Sequence, residues 1–363
     1  MNPAQRAIRI VDRFQQRLPG LSFVVAVIKK FNDDQAGNLA ALVAYYAYAS
    51  IFPLLLVLFT VLNIIVRNDA GLRDKVLDYA VSDFGAFGTI IVENVQGFHE
   101  TGPALVIGVL LTVYSGRRVA GAMQNALNSA WEVPRSERPS FPWNYLRSFA
   151  LVLLVGLGEI ATSVLSSLIS GGHLLPGFVV AMLATLATLI VNIGLFWLAF
   201  RLATARTIRW RELRLGAIAG GCVWQALQLV GGFYIVHSLA HSRSLYGQTF
   251  GVVLGLLAWL FLQAEATLWV IEANVVWVRK LWPRSLASPP LTKEDVKAYE
   301  LYAQAGDRKG ETVNVVVTPE AGDEKIGTGA TDGDGDAPAD ATGPPVSART
   351  ARGEDPHDSG DDR

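Results

Sequence analysis

The chain has 363 residues, of which 51% are apolar and 17% are charged. An ordinary soluble domain carries about 25% charged residues, so this composition excludes a typical soluble globular protein. The formal net charge of −1 hides two opposite regions, because residues 310–363 alone hold 13 acidic and 4 basic residues. The single cysteine, Cys222, excludes an internal disulfide.

The middle of the chain is a series of long apolar segments. A helix that crosses a bilayer core of about 30 Å needs about 20 mainly apolar residues. Five segments meet this length plainly, and they are residues 39–66, 148–169, 177–200, 215–236 and 247–278. A sixth segment, 103–132, is interrupted by Arg117 and Arg118. We interpret it as one long helix, with a re-entrant or interfacial segment as the alternative. The sequence therefore predicts an all-α membrane protein with a six-transmembrane-helix bundle.

Lysine and arginine are unevenly distributed between the segments that connect these spans. Under six spans, the segments on one side hold nineteen lysines and arginines, and those on the other side hold four. The first set comprises residues 1–38, 133–147, 201–214 and 279–297, and the second comprises 67–102, 170–176 and 237–246. Because basic loops stay in the cytoplasm, this split predicts that both termini are cytoplasmic.

Shorter segments flank the predicted spans. In the N-terminal region 1–38, one helical stripe is apolar and the arginines lie off it. This predicts an amphipathic helix, either on the anionic cytoplasmic leaflet or as a cap packed on the bundle's own loops. The stripe consists of Ala7, Ile10, Val11, Phe14 and Leu18. The outer loop 67–102 carries two short amphipathic patterns, and the juxtamembrane segment 285–309 carries a short helical pattern at 291–302. Residues 310–363 have too little apolar surface to order themselves, which predicts a disordered acidic tail.

Charged residues inside the predicted spans are the strongest candidates for function. On insertion scales a charge at the bilayer centre costs at least about 2.5–3.5 kcal/mol, so a role in function is the default hypothesis. These residues are Arg117, Arg118, Glu159, Glu265 and Glu272. Their estimated depths allow an ion pair of Arg117 or Arg118 with Glu265 or Glu159. Two interpretations stay open: a polar cleft that binds a charged head group or relays protons, and a structural ion pair that fixes helix register.

A proline interrupts the first predicted span. Pro53 leaves the carbonyl of Ala49 without its helical partner, so the helix should kink there, either as a hinge or as a static bend. Tyr45 and Tyr46 precede the kink. In lipid the freed carbonyl needs a polar neighbour or a water. We therefore add Pro53, Tyr45 and Tyr46 to the predicted polar cleft.

Small residues recur at a spacing of four in the last two predicted spans, which permits close helix packing. The two ridges consist of Gly216 and Gly220, and of Gly247, Gly251 and Gly255. Packing inside one protomer is the main interpretation, and homodimerisation through either ridge is the alternative. His237 and His241 are also four apart, but we interpret them as interfacial histidines and predict no metal site.

Several local motifs occur together and in a fixed order. They are Asp33-Asp34, Tyr45-Tyr46, Phe52-Pro53, Ser115, Arg117-Arg118, Leu127-Asn128, Tyr246-Gly247, Trp259 and Glu272-Ala273-Asn274. This combination resembles the YihY/BrkB family of bacterial inner-membrane proteins, formerly labelled ribonuclease BN, over residues 31–284. The chain departs from the family pattern at Val270-Ile271, where the family has Gly-Ala. Through the last motif, Asn274 joins the predicted cleft residues.

The resemblance implies a role in envelope integrity with lipid or lipid-precursor export, and it carries virulence and ribonuclease labels. A ribonuclease needs a metal-ligand cluster or an acid–base pair beside a basic groove. The predicted cytoplasmic segments supply arginines without such a cluster. We therefore predict a non-enzymatic protein of the bacterial cytoplasmic membrane, with no catalytic residue, no cofactor and no nucleic-acid partner. The preferred function is translocation or export of a lipid or amphiphile through the polar cleft, with membrane lipids as partners. A non-transporting envelope scaffold is the alternative.

Overall fold

The computed structural model of the chain describes residues 3–67, 101–170, 177–205, 207–240, 245–286 and 291–307. Within these ranges the chain forms helices joined by turns. The amphipathic patterns predicted within 67–102 and the disordered tail predicted at 310–363 lie outside the described residues.

Short helices flank a set of long ones. The first two are α1 Pro3–Arg17 and α2 Pro19–Asp33. Pro19 is well suited to the first turn of α2. Proline has no backbone N–H, and the first N–H groups of a helix have no partner within the helix. The long helices, which we call the bundle helices, are α3 Ala36–Arg67, α4 Thr101–Ala130, α5 Trp143–Ser170, α6 Gly177–Ala203, α7 Arg214–Ala240 and α8 Leu245–Arg279. The last described helix is α9 Lys293–Ala305, which begins at a capping box formed by Thr292 and Asp295.

Among the described residues, five helices are long and apolar enough to cross a membrane, and they are α3, α4, α5, α6 and α8. The remaining predicted span, 215–236, lies within α7, which packs against α6 and α8. The weak segment 103–132 forms a helix that continues through Arg117 and Arg118, rather than a re-entrant turn. The chain is therefore an all-α membrane protein, and the cytoplasmic location of its termini stays a prediction.

Consecutive bundle helices alternate in direction, so that α4, α6 and α8 end where α3, α5 and α7 begin. Hydrogen bonds that join these ends are Asn128 Nδ2 to the Ala203 carbonyl at 3.2 Å, Arg147 Nη1 to the Thr204 carbonyl at 3.2 Å, and the Gly216 N–H to Asn274 Oδ1 at 3.0 Å. We call this end of the bundle the charged end.

The buried core is concentrated at the charged end. Its fully enclosed large side chains include Trp131, Leu213, Ile271 and Leu281. Farther along the bundle the outer surface is itself apolar, and Leu110 on α4, for example, is 63% exposed. Large apolar surfaces of this kind mark contact with membrane or with another protein, and here they cover helices of membrane-spanning length.

Candidate functional site

A long cavity of about 540 Å³ lies among the bundle helices, and each of α3–α8 contributes to its lining. Thr112 and Leu127 both line it. They are fifteen positions apart on α4, so the cavity extends for about 22 Å along the bundle. Most of its lining side chains are leucine, valine, alanine and phenylalanine. The cavity is therefore shaped for an elongated apolar molecule.

A few polar groups interrupt the apolar lining. The Thr112 hydroxyl is buried and has no hydrogen-bond partner among the described residues. Asn192 Nδ2 donates to Gln225 Oε1 at 3.1 Å, and the Glu159 side chain lies in the wall on α5. An apolar pocket with a small number of placed polar groups is the usual form of a small-molecule site, where the polar groups fix orientation.

The wall of the cavity reaches the outer surface of the bundle. Leu54 on α3 and Val155 on α5 both line the cavity, and each is 53% exposed. These two side chains present apolar surface to the outside, where hydrocarbon would lie around a membrane-spanning bundle.

A buried charge network lies at the charged end, centred on Lys30 of α2. Its ammonium lies 2.6 Å from Asp34 Oδ2, 2.8 Å from Glu132 Oε1 and 3.4 Å from Glu272 Oε2. The Lys30 side chain is fully enclosed, and the three carboxylates are each less than a tenth exposed. These four residues, which we call the Lys30 network, join α2 and the start of α3 to the ends of α4 and α8.

In the Lys30 network one ammonium faces three carboxyl groups among the described side chains, so negative charge is in excess. Burial lowers the pKa of Lys30, but Glu272, Asp34 and Glu132 outweigh it and hold that pKa above its ordinary value. Burial raises the pKa of Glu132 to about 7, against the Lys30 ammonium, which lowers it. Glu272 Oε2 accepts no hydrogen bond from described residues, although it lies at ion-pair distance from Lys30. The buried excess of carboxyl groups therefore favours the protonated form of Glu132.

A second buried cluster of charges, centred on Asp295 of α9, fixes the C-terminal segment to α2. Its Oδ1 accepts from Lys29 Nζ and from Arg284 Nε, both at 2.9 Å. Its Oδ2 accepts from the N–H and the hydroxyl of Ser285. Burial acts to raise the pKa of Asp295, but the hydrogen bonds from Ser285, Lys29 and Arg284 hold it well below its ordinary range. This lowered pKa favours the ionised form of Asp295, and we call its contacts with Lys29, Arg284 and Ser285 the clamp.

The two arginines of α4 make contacts with aromatic rings. The Arg117 guanidinium lies 3.7 Å from the centre of the Tyr145 ring, and Arg118 Nη2 donates to the Tyr114 hydroxyl at 2.7 Å. Arg118 also lies 5.8 Å from the Tyr46 ring, which packs edge-on against Tyr45. The structure therefore brings Tyr45, Tyr46 and Arg118 together.

The predicted ion pairs across the bundle are not formed among the described residues. The salt bridges there join neither Arg117 nor Arg118 to Glu159 or Glu265. The physical reason is the direction of the two side chains. Successive residues of a helix point about 100° apart, so Arg117 and Arg118 face different neighbouring helices. Arg117 therefore faces α5 while Arg118 faces α3, and Gly116 and Val119 are the α4 residues that line the cavity at this level.

The other predicted cleft residues are distributed over three places. Glu159 lines the cavity and Glu272 belongs to the Lys30 network. Asn274 bridges α8 to α7, because its Oδ1 accepts from the Gly216 N–H and its Nδ2 donates to the Glu212 carbonyl at 2.9 Å. Pro53 lies inside α3, one position before the cavity-lining Leu54, and Glu265 is partly exposed on α8. A single cleft containing all of these residues is not present in the described part of the chain.

The predicted glycine ridges differ in their surroundings. A Cβ atom on Gly216 would lie 3.0 Å from Asn274 Cγ, and one on Gly220 would lie 2.7 Å from Phe196 Cδ1. These two glycines permit close packing inside the protomer. A Cβ on Gly255 would meet nothing within 4 Å. Gly247 and Gly251 fall in α8, but what surrounds them lies outside the part of the chain that the structure describes, so homodimerisation through that ridge stays a prediction.

Sequence reasoning missed the residues that organise the charged end. Lys30, Arg284 and Asp295 lie outside the predicted spans, and Glu132 is the last residue of the span 103–132. Several of their ion pairs join residues that are far apart in the chain. The signal that was available is the acidic pair before the first span, because Asp33 binds Arg284 and Asp34 binds Lys30.

The chain is similar to known membrane proteins over most of its length. The profile of the family described as Virulence factor BrkB matches residues 27–290. Inner membrane protein YhjD of Escherichia coli (strain K12) is 24% identical over 289 residues, which cover 71% of this chain and 83% of that protein. A UPF0761 membrane protein of Stenotrophomonas maltophilia (strain K279a) is 26% identical over 269 residues, covering 72% of this chain and 62% of that protein. No solved structure matches the chain significantly.

Proposed function

Since this chain belongs to the Virulence factor BrkB family, we propose that it is a bacterial cytoplasmic-membrane protein that translocates a lipid or amphiphile through its interhelical cavity. Both termini are cytoplasmic in this proposal, because of the excess of lysine and arginine at the charged end. We propose no enzymatic step, no cofactor and no nucleic-acid partner. A role in envelope integrity follows if the translocated molecule is an envelope component.

The cavity is the observation that supports this proposal. Its volume of about 540 Å³, its apolar lining and its extent along α4 suit a hydrocarbon chain. Thr112, Asn192 and Glu159 supply a donor or an acceptor at the wall, where they would interact with the head-group side of an amphiphile. Leu54 and Val155 would be the points of entry from lipid.

Filling the cavity tests the proposal. Ala199 of α6 lines the cavity, whereas Ala181 of the same helix is exposed and does not line it. Ala199→Phe should block translocation, and Ala181→Phe is the matched control because it adds the same ring to the outer surface. The assay uses liposomes that contain the purified protein and an NBD-labelled phospholipid, with dithionite reporting the label that reaches the outer leaflet.

We expect wild type and Ala181→Phe to accelerate the loss of protected label, and Ala199→Phe to resemble protein-free liposomes. Equal rates for wild type and protein-free liposomes would refute translocation of this lipid class. Equal, accelerated rates for wild type and Ala199→Phe would refute the cavity as the route.

The second candidate function is a non-transporting envelope scaffold, and the Lys30 network is the observation that favours it. Its buried ion pairs connect helices of the same chain, and such connections would stabilise a rigid scaffold. If the protein is a scaffold, the Ala199→Phe variant should still complement the envelope defect of a deletion strain. If it is a translocator, this variant should not.

A further inference from the structure

The polar side of α1 is turned toward the protein. Gln15 is 1% exposed, and its Nε2 donates to the Arg284 carbonyl at 2.8 Å. Asp12 is also buried, and its Oδ1 accepts from the Leu286 N–H at 2.8 Å. These bonds fix the rotation of α1 about its own axis, because they use two residues three positions apart on one face.

The apolar side of α1 is consequently turned outward. Ile10 is 70% exposed and Phe14 is 61% exposed, and Val11 and Leu18 are exposed on the same stripe. The exposed apolar residues continue on α2 at Leu21, Val24 and Ile28. A helix that only capped a bundle in water would be oriented the other way, with its apolar stripe inside.

Basic residues accompany this apolar stripe. Arg13 and Arg17 are exposed, and no salt bridge joins either of them to a described residue. An amphipathic helix with an apolar face and unpaired arginines beside it matches a surface that is apolar inside and anionic outside. That combination is the boundary between acyl chains and anionic head groups.

Aromatic residues place the same boundary at the charged end of the bundle. Trp143 at the start of α5 and Trp277 near the end of α8 are each more than half exposed, and Trp210 before α7 is also exposed. Tryptophan is enriched at the level of the head groups in membrane proteins. Phe23 of α2 packs edge-on against Trp277, with ring centres 5.8 Å apart, so α2 lies at that level too.

We propose that the exposed face of α1 and α2 binds the anionic surface of the surrounding bilayer as an in-plane anchor. Ile10, Val11 and Phe14 enter the boundary of the acyl chains, and Arg13 and Arg17 bind lipid phosphates. This interaction is independent of the cavity and of translocation.

Site-specific fluorescence in the full-length protein tests this anchor. In a Cys222→Ala background, Phe14→Cys is labelled with NBD and the protein is placed in liposomes of phosphatidylcholine with phosphatidylglycerol. Glu300→Cys, on the exposed side of α9, is the matched control. Quenching by doxyl-labelled lipid reports contact with acyl chains, and quenching by iodide reports contact with water.

We expect doxyl lipid to quench the label at position 14 more than at position 300, and iodide to do the reverse. Replacing phosphatidylglycerol with phosphatidylcholine should weaken the doxyl quenching at position 14. Iodide quenching at position 14 equal to that at position 300 in both lipid mixtures would overturn the proposal. Disulfide-linked dimers formed by unlabelled Phe14→Cys would overturn it as well, because a second copy would then cover the face.

Discussion

The charged end and the middle of the bundle are held together by different forces. At the charged end, side-chain hydrogen bonds and ion pairs connect helices that are distant in sequence, as Lys30 and Glu132 do. In the middle, the helices enclose a cavity and meet mainly through apolar side chains. Because lipid removes most of the hydrophobic drive for helix association, the middle depends mainly on van der Waals packing between its helices. The charged end therefore fixes the arrangement of the helices through polar contacts, whereas the helices around the cavity are held mainly by apolar packing.

The largest expected effect comes from removing the buried ammonium at the charged end. Lys30→Met leaves Asp34, Glu132 and Glu272 without their common partner. Breaking a buried ion pair in this way typically costs about 3–5 kcal/mol of the free energy of unfolding. Equilibrium unfolding in detergent should show a loss of this size.

Two further variants make the Lys30 experiment specific. Lys293→Met removes an exposed ammonium at the start of α9 and should change the free energy of unfolding little. Lys30→Met combined with Glu272→Gln should recover part of the loss, because it removes one uncompensated charge. Equal effects of Lys30→Met and Lys293→Met would contradict the view that the charged end is the fixed region.

The next effect is a pH dependence that arises from Glu132. Its pKa is about 7 in the folded protein against an ordinary 4.5, so the folded state binds the proton more tightly than the unfolded chain. Stability from this group is fully present below pH 4.5 and is lost as the pH rises to about 7, by a total of about 3 kcal/mol.

Unfolding measured between pH 5 and pH 8 should therefore show a decline that Glu132→Gln reduces. Glu137→Gln, which changes an exposed carboxyl five positions later, should keep the decline of the wild type. If wild type and Glu132→Gln decline in parallel, the buried carboxyl is not the group that titrates.

The smallest expected effect compares a methyl group added in each region. Gly216→Ala would place a Cβ 3.0 Å from Asn274 Cγ, and Asn274 is held by its bonds to Gly216 and Glu212. We expect a loss of about 1–2 kcal/mol in the free energy of unfolding, because a well-fixed neighbour cannot move aside. Gly255→Ala meets open space and should stabilise by up to about 1 kcal/mol, through helix propensity alone. The two changes, measured together by thermal unfolding, should have opposite signs, and the same sign for both would remove the contrast between the regions.

The helices could be predicted from the sequence because hydropathy and length are local properties. Even the interrupted segment 103–132 was identified, since a continuous α4 needs no information from the rest of the chain. The partners of its arginines could not be predicted, because depth alone does not specify the direction of a side chain. Arg117 faces Tyr145 rather than a carboxylate for this reason. Glu272 was identified as a charge inside a predicted span, but the rest of the Lys30 network was missed. Lys30, Asp34 and Glu132 look like ordinary loop or helix-end residues until distant segments meet.

The clamp at Asp295 has a consequence for how the protein is made. Lys29 lies 266 positions before Asp295 in the chain, and Arg284 binds Asp33 across a similar separation. A ribosome synthesises the chain from the N-terminus, so Lys29 emerges long before Asp295. Lys30 likewise emerges long before Glu132 and Glu272, and of its partners Asp34 alone follows it closely. With the cytoplasmic N-terminus proposed above, these lysines stay hydrated until then on the side where synthesis takes place, which opposes their passage through the translocation channel. The clamp can close only after the last bundle helix has been inserted, so its closure marks the completion of membrane assembly.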